Sequence, residues 1–374
     1  MNAILEGLET PSLLLDASRL ERNCERMRSR VHSQGAMLRP HVKTAKNVEV
    51  VQRALDAPAG PITVSTIREA EYFYDFGFRD FLYAVGIVPA KVPRLAALCK
   101  RGARIATIVD DEEAARAFVA AAAKAGVRIP ALIEIDSDGH RAGVRPGEER
   151  LFAIAEALGP QMGGVMTHAG DSYNCSSTDA IREIAARERS AVVDSAAALR
   201  KRGLRCPVVS VGSTPTATFA ASFDGVSEVR TGVYMFHDLV MAGLGVCALD
   251  DIAISVLASV IGHQREKEWV LVDAGWMAMS RDRGTARQAV DQGYGLVCDI
   301  DGRPFGDLIV SEANQEHGIV TRRDGGAIDF ERFPIGSRVR ILPNHACATA
   351  AQHAEYQVLR EDGSHEVWER FNGW

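Results

Sequence analysis

The stretch RIATIVDDEEAARAFVAAAAKAGVRIPALIEID, residues 104–136, contains one complete strand–helix–strand pattern. Its two ends, residues 104–110 and 129–136, are short apolar runs of the kind that form buried parallel strands. The segment between them, residues 110–126, has acids in its first turn and Lys-Ala-Gly at its end, as the helix dipole and a helix C-cap favour. The stretch therefore predicts one βα unit of a parallel sheet.

The same alternation continues on both sides of this unit. The strand candidates are residues 36–42, 62–65, 81–85, 104–110, 129–136, 163–168, 207–212 and 227–232. Eight strands with seven intervening connections favour a closed (β/α)8 barrel of the TIM type over an open doubly wound sheet. We place this barrel at residues 8–245.

The pattern changes after residue 245. Short alternating runs such as EWVLVDAG and SRVRILPNH are separated by DG, GG and GS turn signals, which is typical of antiparallel strands. We therefore predict a second, mostly antiparallel β domain over residues 246–374. Residues 1–16, which include the apolar run TPSLLLD before the first long helix, are a candidate to join it.

Composition excludes several classes of function. The net charge of −6 over 374 residues, with no Lys/Arg block interleaved with aromatics, argues against a nucleic-acid partner. No apolar run approaches the roughly 18 residues that a membrane helix needs, and the N-terminus lacks the basic region of a signal peptide. The seven cysteines are scattered without CxxC spacing, as expected for reduced thiols. We therefore expect a cytoplasmic protein that acts on a small molecule, with no membrane or nucleic-acid partner.

Lys43 is the first candidate for chemistry. In a (β/α)8 barrel the active site lies at the C-terminal ends of the strands, and Lys43 in RPHVKTAKN follows the first strand. A partly desolvated lysine beside His41 and Lys46 can form a Schiff base with a carbonyl substrate or with pyridoxal phosphate. A solvated lysine at an ordinary strand-to-helix turn is the alternative.

Two loops suggest a phosphate-bearing cofactor. Phosphates are frequently held by the loops after barrel strands seven and eight, which read VGSTPT (211–216) and RTGVY (230–234) here. Both loops offer glycine N–H groups with hydroxyls beside them, the donor set that a phosphate needs. Taken alone, each loop is equally consistent with an ordinary turn.

The segment LPNHACATAAQH (342–353) is the third candidate. His345 and Cys347, two residues apart, would point to the same side of an extended strand. Imidazole and thiolate together suit zinc or a neighbouring divalent metal, and two protein ligands leave positions open for water or substrate. A buried cysteine with a capping histidine is the alternative, because the spacing is far from a complete zinc motif.

These motifs resemble a known family. HVKT (41–44), EIDSDGHRAGV (134–144) and GVMTHAG (164–170) resemble the alanine-racemase-like barrel of pyridoxal-phosphate enzymes of fold type III. VDAGWMAMSRDRGTARQ (272–288) and ILPNHACATAAQ (341–352) are similar to the D-serine dehydratase and D-threonine aldolase branch. The resemblance covers nearly the whole chain.

The resemblance implies a role for each candidate residue. Lys43 would form the Schiff base with pyridoxal 5'-phosphate and take the α-proton of the substrate. Arg141 would lie near the ring oxygen of the cofactor, His168 beside the ring, and Arg230 near the pyridine nitrogen. Tyr173 is implied as a cofactor or substrate neighbour, with a surface tyrosine as the alternative. The implied phosphate-binding residues are Gly212, Ser213, Thr214, Gly232 and Val233.

The resemblance also favours one reaction. Aldolases of the branch carry His-Cys-Asp, whereas dehydratases carry His-x-Cys, as at His345 and Cys347 here. The implied activity is dehydration of a D-3-hydroxy amino acid, above all threo-3-hydroxy-D-aspartate, to a 2-keto acid (oxaloacetate) and ammonia. A divalent metal, zinc or else manganese, cobalt or magnesium, would assist departure of the hydroxyl.

Other activities remain as alternatives. D-serine dehydration to pyruvate and ammonia comes next, followed by D-threonine or 3-hydroxyaspartate aldol cleavage and by non-catalytic carriage of pyridoxal phosphate. A racemase needs a second acid–base group on the opposite face, and VLVDAGWMAMS lacks the tyrosine that alanine racemases supply. Members of the family pair the barrel of one subunit with the second domain of another, so a homodimer is implied.

Overall fold

The structure, a computed structural model, describes the chain from residue 2 to residue 374. It forms two compact units. The barrel unit comprises Glu25–Gly232 with Gly373–Trp374, and the β unit comprises residues 2–24 with Val233–Asn372. These two units correspond to the predicted barrel and to the predicted β domain, but their limits differ from the predicted ones. The helix Ala17–Ser33 passes from the β unit into the barrel unit.

Eight parallel strands form the barrel. Their bounds are Met37–Leu38, Ile62–Val64, Asp80–Gly86, Arg104–Val109, Ala131–Ile135, Met162–Thr167, Val208–Val211 and Glu228–Val229. Neighbouring strands pair in parallel along one sheet from the second strand to the eighth, and the eighth pairs with the first. A parallel bridge between His41 and Thr63 joins the first strand to the second. The predicted (β/α)8 architecture is confirmed, with all eight strands at the predicted places.

Helices connect the barrel strands. The α-helices of this unit after Ala17–Ser33 are Val48–Arg53, Ile67–Asp75, Val92–Lys100, Glu112–Lys124, Glu149–Leu158, Thr178–Lys201 and Thr214–Phe219. Short 3-10 turns lie at Pro89–Lys91, Gly159–Gln161 and Gly170–Asn174.

The helix of the opening stretch shows why these segments form. Asp111 caps its N-terminus by accepting hydrogen bonds from the N–H groups of Glu113 and Ala114. Apolar side chains at helical spacing, including Phe118, face inward and are buried. Inside the barrel, one side chain from each of four adjacent strands forms a buried cluster, Leu82, Ile108, Leu132 and Met166.

The β unit is built on one sheet of nine strands. They are Ser12–Asp16, Ile254–Gln264, Trp269–Val272, Gly295–Cys298, Pro304–Ala313, Gly318–Arg322, Arg338–Pro343, Glu355–Leu359 and His365–Glu369. Every pairing is antiparallel except that of Ser12–Asp16 with Glu355–Leu359. The mostly antiparallel character predicted for this domain is confirmed.

Short helices complete the β unit. The α-helices are Asn2–Gly7, Leu239–Gly243, Trp276–Met279 and Ala346–Ala350. The 3-10 helices are Val233–Met235, Leu249–Asp251, Arg265–Lys267, Gly284–Arg287 and Phe330–Arg332. Over residues 2–374, no helix is long and apolar enough to cross a bilayer.

The division between the units differs from the predicted limits. We predicted the barrel to end at residue 245, whereas Val233 begins the second segment of the β unit. The reason is packing, because Leu239 is buried in one cluster with Ile252 and Leu342 of the β unit. At the other end, Ser12–Asp16 lies within the β sheet between two of its strands. The β unit therefore contains the chain segments on both sides of the barrel segment in sequence.

Candidate functional site

Lys43 lies in a tight turn directly after the first barrel strand. The turn is held by backbone hydrogen bonds from His41 N to Thr231 O (2.8 Å) and from Val42 N to Thr63 O (3.0 Å). Lys46 closes it by donating its N–H to the carbonyl of Val42 at 2.9 Å. Lys43 is exposed within this turn. It is therefore accessible to a small molecule at the C-terminal end of the barrel.

His41 shows which residues surround Lys43. Burial lowers the pKa of His41 far below its ordinary value, and positive charge nearby lowers it further. The side chains that act on it in this way are Lys43, Arg230, His168 and Arg141. The fold thus brings four of the predicted residues together around one imidazole. His41 itself was named only as a neighbour of Lys43, although its place two residues before the lysine was a usable signal.

His168 is held in one orientation. Its Nδ1 lies 2.7 Å from the carbonyl oxygen of Gly212, so the ring donates there in its neutral form. Burial is the main cause that lowers the pKa of His168 to about 3. The imidazole is therefore neutral near pH 7, and its second nitrogen is an acceptor. The ring of Tyr173 lies beside it, with 6.3 Å between the centroids.

The two arginines, Arg141 and Arg230, differ in exposure. Arg141 donates to the Glu134 carboxylate at 3.2 Å, and 60% of its side chain is exposed. Arg230 is buried and donates to the carbonyl of Thr167, and its burial lowers the pKa of the guanidinium. Arg230 is therefore a buried cation of the barrel, whereas Arg141 is largely exposed.

The loop after the seventh strand ends in a cluster of buried hydroxyls. Ser213 caps the helix Thr214–Phe219 by accepting from the N–H of Thr216 at 3.1 Å. Its hydroxyl also lies 2.9 Å from that of Ser172. Thr214 is hydrogen bonded to Thr231 of the loop after the eighth strand. The two predicted phosphate loops are thus joined through their side chains.

Two glycines allow these loops to approach the backbone of neighbouring strands. A Cβ atom at Gly212 would lie 1.7 Å from the carbonyl oxygen of Arg230, and one at Gly232 would lie 2.5 Å from that of His41. Neither position therefore accepts a side chain without a shift of backbone. Close backbone, buried hydroxyls and a nearby arginine fit the chemistry of a phosphate-bearing cofactor. Val233, by contrast, is buried in the β unit.

Glu188 is a buried acid that sequence reasoning missed. It lies in the helix Thr178–Lys201 and accepts hydrogen bonds from the N–H groups of Ala169 (3.2 Å) and Gly212 (3.0 Å). Burial raises the pKa of its carboxyl, although these bonds favour the charged form. The sequence contains a signal for this burial, because Glu188 lies three residues before Ala191 on the apolar face of an amphipathic helix.

His345 and Cys347 lie together at one end of the β unit, but not on a strand. We predicted an extended strand through both, and this is wrong. The strand ends at Pro343, His345 occupies the N-cap position of the next helix without a capping hydrogen bond from its side chain, and Cys347 lies inside Ala346–Ala350. The buried Asp238 fixes the start of that helix by accepting the N–H of Ala346 at 2.9 Å.

Asp282 orients His345. The Nδ1 of His345 lies 2.6 Å from a carboxylate oxygen of Asp282. Burial alone would lower the pKa of His345, but hydrogen bonds to Asp282 and Cys347 outweigh it and raise the pKa to about 11. A carboxylate that holds a histidine in this way is usual at metal sites. No pattern in the sequence marked Asp282.

The donor set is small but consistent with a divalent metal. Among residues 2–374, no group of three or more His, Cys, Asp or Glu side chains is arranged to hold an ion. An imidazole and a thiol within hydrogen-bonding reach of each other nevertheless supply two suitable ligands and leave other positions open. The fit is that of an open metal site, not of a closed structural one.

Comparison with known proteins assigns both halves of the chain. Residues 15–239 match the model of the alanine racemase N-terminal domain. Residues 253–359 match the model of a serine dehydratase domain. These two matches fall on the barrel and on the β sheet respectively.

Relatives match over the full length. D-threo-3-hydroxyaspartate dehydratase of Delftia sp. (strain HT23) is 53% identical over 380 residues, which cover 100% of both chains. D-serine dehydratase of Dictyostelium discoideum is 31% identical over 96% of both chains. A solved structure of D-threonine aldolase from Filomicrobium marinum is 26% identical, with a TM-score of 0.82 over 97% of this chain and 95% of its own.

Solved structures of the Delftia dehydratase superpose closely. The wild-type form has a TM-score of 0.97 at 52% identity, over 99% of each chain. Two variants of that protein, one with a histidine and one with a cysteine replaced by alanine, are equally similar, and the second is described as metal-free. The two altered positions are two residues apart, the spacing of His345 and Cys347. The chain therefore belongs to the alanine racemase N-terminal-domain family of pyridoxal-phosphate fold type III, in the group whose second half is a serine dehydratase domain and which includes D-threo-3-hydroxyaspartate dehydratase.

Proposed function

We propose that this chain is a hydro-lyase that dehydrates D-threo-3-hydroxyaspartate to oxaloacetate and ammonia. The observation that carries the proposal is the 53% identity to the Delftia dehydratase over the whole of both chains. The chain carries Lys43 in HVKT and the His-x-Cys pair of His345 and Cys347, which the family resemblance associates with this chemistry. D-serine dehydration and aldol cleavage are the competing activities, since relatives with those names match at lower identity.

Pyridoxal phosphate is the proposed organic cofactor. Lys43 would hold it covalently, and the hydroxyls of Ser213, Thr214 and Thr231, with the backbone of both loops through Gly232 and Val233, would receive its phosphate. When bound, this cofactor supplies an electron sink that would accept the electron pair left when the α-proton of the substrate is removed. Arg230, as a buried cation, would face the pyridine nitrogen, and the exposed Arg141 would face the ring oxygen.

The protein side chains handle the proton. We assign the α-proton of the substrate to the amine of Lys43, which is exposed to a ligand at the end of the barrel. His168 is neutral and fixed by Gly212, so its free ring nitrogen offers an acceptor and no competing positive charge. Tyr173 beside this imidazole would close the same side of the pocket.

His345 and Cys347 are the proposed metal ligands. Thiolate and imidazole favour zinc, whereas a substrate that chelates through hydroxyl and carboxylate oxygens also suits manganese, cobalt or magnesium. When bound, the ion supplies a Lewis acid for the departing 3-hydroxyl. Asp282 keeps the ring of His345 oriented through the 2.6 Å hydrogen bond.

The first experiment is a product assay on three substrates. Purified protein with added pyridoxal phosphate and divalent metal is given D-threo-3-hydroxyaspartate, D-serine or D-threonine, and 2-keto acid, glycine and aldehyde are measured in each sample. We expect oxaloacetate from hydroxyaspartate at a rate well above pyruvate formation from D-serine. Faster pyruvate formation would make the chain a D-serine dehydratase, and glycine with an aldehyde would make it an aldolase. Bound cofactor without any product would indicate a carrier.

A chelation experiment tests the metal. Thorough treatment with EDTA should abolish keto-acid formation and leave the visible absorbance of the bound cofactor unchanged, because the two groups are held by different residues. Readdition of Zn²⁺ or Mn²⁺ should restore activity in the wild-type protein but not in His345→Ala. Full activity after verified removal of metal would exclude the assigned role of His345 and Cys347.

A further inference from the structure

Glu188 is a strongly buried acid that contacts two loops of the candidate site without a role in the proposed chemistry. It is 3% exposed, in the middle of the helix Thr178–Lys201. One carboxylate oxygen, Oε1, accepts both the N–H of Ala169 and the N–H of Gly212. These amides belong to the loops after the sixth and the seventh barrel strands. A single atom therefore links the loop of His168 to the loop of Ser213.

Gly212 is held from two sides. Its N–H donates to Glu188 at 3.0 Å, and its carbonyl accepts from Nδ1 of His168 at 2.7 Å. Both of its backbone polar groups thus have protein partners. Gly212 therefore fixes the direction in which the chain enters Ser213. Later residues of the loop would supply the groups that bind a phosphate.

A chain of hydroxyls extends this contact. The hydroxyl of Thr216 bonds to Glu188 and lies 2.9 Å from the hydroxyl of Ser213. The hydroxyl of Ser213 also lies 2.9 Å from that of Ser172, which donates its hydrogen to the carbonyl of Ala169. Glu188 is thus connected to Ser213 through the side chain of Thr216.

The position would otherwise favour an apolar residue. Glu188 lies on the buried face of its helix with Ile184, Ala185, Ala191 and Val192. A buried carboxylate is costly unless hydrogen bonds compensate for lost water. Here the hydrogen-bond partners of the carboxylate are the N–H groups of Ala169 and Gly212 and the hydroxyl of Thr216. The group is thus directed at the two loops and not at a neighbouring helix.

We infer that Glu188 is a positioning residue that holds the loop beginning at Gly212 in the conformation that receives the phosphate of the cofactor. The inference rests on the proposed function, because it takes pyridoxal phosphate as the ligand. It predicts that loss of the acceptor at residue 188 weakens the binding of the phosphorylated cofactor specifically. Pyridoxal, which lacks the phosphate, serves as the probe that separates this effect from general damage.

The test uses four variants of the full chain, freed of cofactor. Glu188→Ala and Glu188→Met remove the acceptor, and Met retains most of the side-chain volume, so it answers the question if the Ala variant does not fold. Glu188→Gln keeps one oxygen that can accept both N–H groups. Glu183→Ala is the matched control, because Glu183 is exposed on the same helix. Each protein is titrated with pyridoxal phosphate and with pyridoxal, and amide hydrogen exchange is measured over residues 208–216.

We expect the acceptor-free variants to bind pyridoxal phosphate about tenfold more weakly, the effect of losing buried hydrogen bonds. Their affinity for pyridoxal should change less than about twofold, and the amide of Gly212 should lose protection before any cofactor is added. Glu188→Gln should stay within about threefold of the wild type, and Glu183→Ala should match it.

Two results would overturn the inference. One is wild-type affinity for pyridoxal phosphate in a folded Glu188→Met protein. The other is an equal loss of affinity for both ligands, which would make Glu188 a general stabilising residue. A wild-type chain that binds neither ligand would instead overturn the proposed function itself, and the two failures are therefore distinguishable.

Discussion

At the scale of single residues, the proposed chemistry depends on which side chains around Lys43 are charged and which are neutral. Lys43 is exposed, while the neighbouring imidazoles of His41 and His168 have pKa values below the ordinary range because they are buried near cations. Both imidazoles are therefore neutral at pH 7. The positive charges that remain near Lys43 come from Arg141 and Arg230, which suits an anionic cofactor.

Replacement of Lys43 is the most direct residue-level prediction. Lys43→Ala removes the amine proposed to hold the cofactor and to take the α-proton, so turnover should fall by roughly a thousandfold or more. The visible absorbance of the lysine-linked cofactor should disappear in the same sample. Lys100→Ala, at an exposed helical lysine of the same unit, should leave both unchanged. Normal absorbance in the Lys43→Ala protein would show that Lys43 does not hold the cofactor.

The low pKa of His168 predicts a dependence of stability on pH. Its pKa is about 3 in the folded chain against an ordinary value of 6.5, so between these values the unfolded chain binds more protons. The free energy of unfolding must then fall as the pH is lowered below about 6.5, by at most about 1.4 kcal/mol per pH unit. His41 acts in the same direction.

Urea unfolding of cofactor-free protein at pH 7 and pH 5 measures this effect. His168→Gln has no imidazole to protonate, so its loss of stability between the two pH values should be smaller than that of the wild type by roughly 1–2 kcal/mol. The comparison cancels the contributions of the buried acids, which titrate in both proteins. An identical loss of stability in both proteins would show that the pKa of His168 is not lowered in the folded chain.

At the scale of elements, the loops at the C-terminal end of the barrel are shaped by close backbone contacts. Gly212 passes against the carbonyl of Arg230, and Gly232 against that of His41. These contacts bring the loops after the seventh and eighth strands against the first, where Lys43 lies. In the β unit, the turn from strand to helix at His345 brings Cys347 within hydrogen-bonding reach of the imidazole.

Gly212→Ala tests the close approach. A Cβ atom 1.7 Å from a carbonyl oxygen cannot be accommodated without backbone movement, so the free energy of unfolding should fall by about 3 kcal/mol. Affinity for pyridoxal phosphate should fall as well. Gly86→Ala is the control, because no atom lies within 4 Å of a Cβ at that exposed position. Equal effects of the two substitutions in urea unfolding would contradict the role assigned to the contact.

At the scale of the whole molecule, one chain contributes two units with separate cores and separate candidate groups. The barrel unit carries Lys43, Ser213, Thr214 and Gly232, and the β unit carries Val233, His345 and Cys347. The family resemblance implies a homodimer, which stays a prediction, as does the cytoplasmic location. Apart from Val233, the residues proposed to hold the cofactor lie in a different unit of the chain from those proposed to hold the metal.

Sedimentation equilibrium checks the assembly. We expect a particle of twice the 40.5 kDa of one chain, and dilution to the monomer should lower the turnover per chain because family members share sites between subunits. The control is the same dilution series with cofactor and metal kept at constant concentration. A fully active particle of 40.5 kDa would contradict the predicted dimer.

The sequence by itself determined the architecture and most of the candidate residues. Strand and helix periodicity is a local property, so all eight barrel strands and the antiparallel second half could be predicted from apolar patterns and turn residues. Lys43 and the loops at 211–216 and 230–234 could be located because a barrel places its active site at strand ends. Glu188 was also within reach, as an acid on an apolar helical face.

Only the tertiary structure decided the contacts between distant segments. Asp282 meets His345 across 63 residues, and Glu188 joins Ala169 to Gly212, pairings that no local pattern encodes. The strand predicted through Cys347 became a helix because Asp238, more than a hundred residues earlier, binds the N–H of Ala346. The limit after Gly232 likewise follows from the burial of Leu239 with Ile252. In each case the deciding free energy comes from burial and hydrogen bonding between segments far apart in sequence, which exist only once the chain has folded.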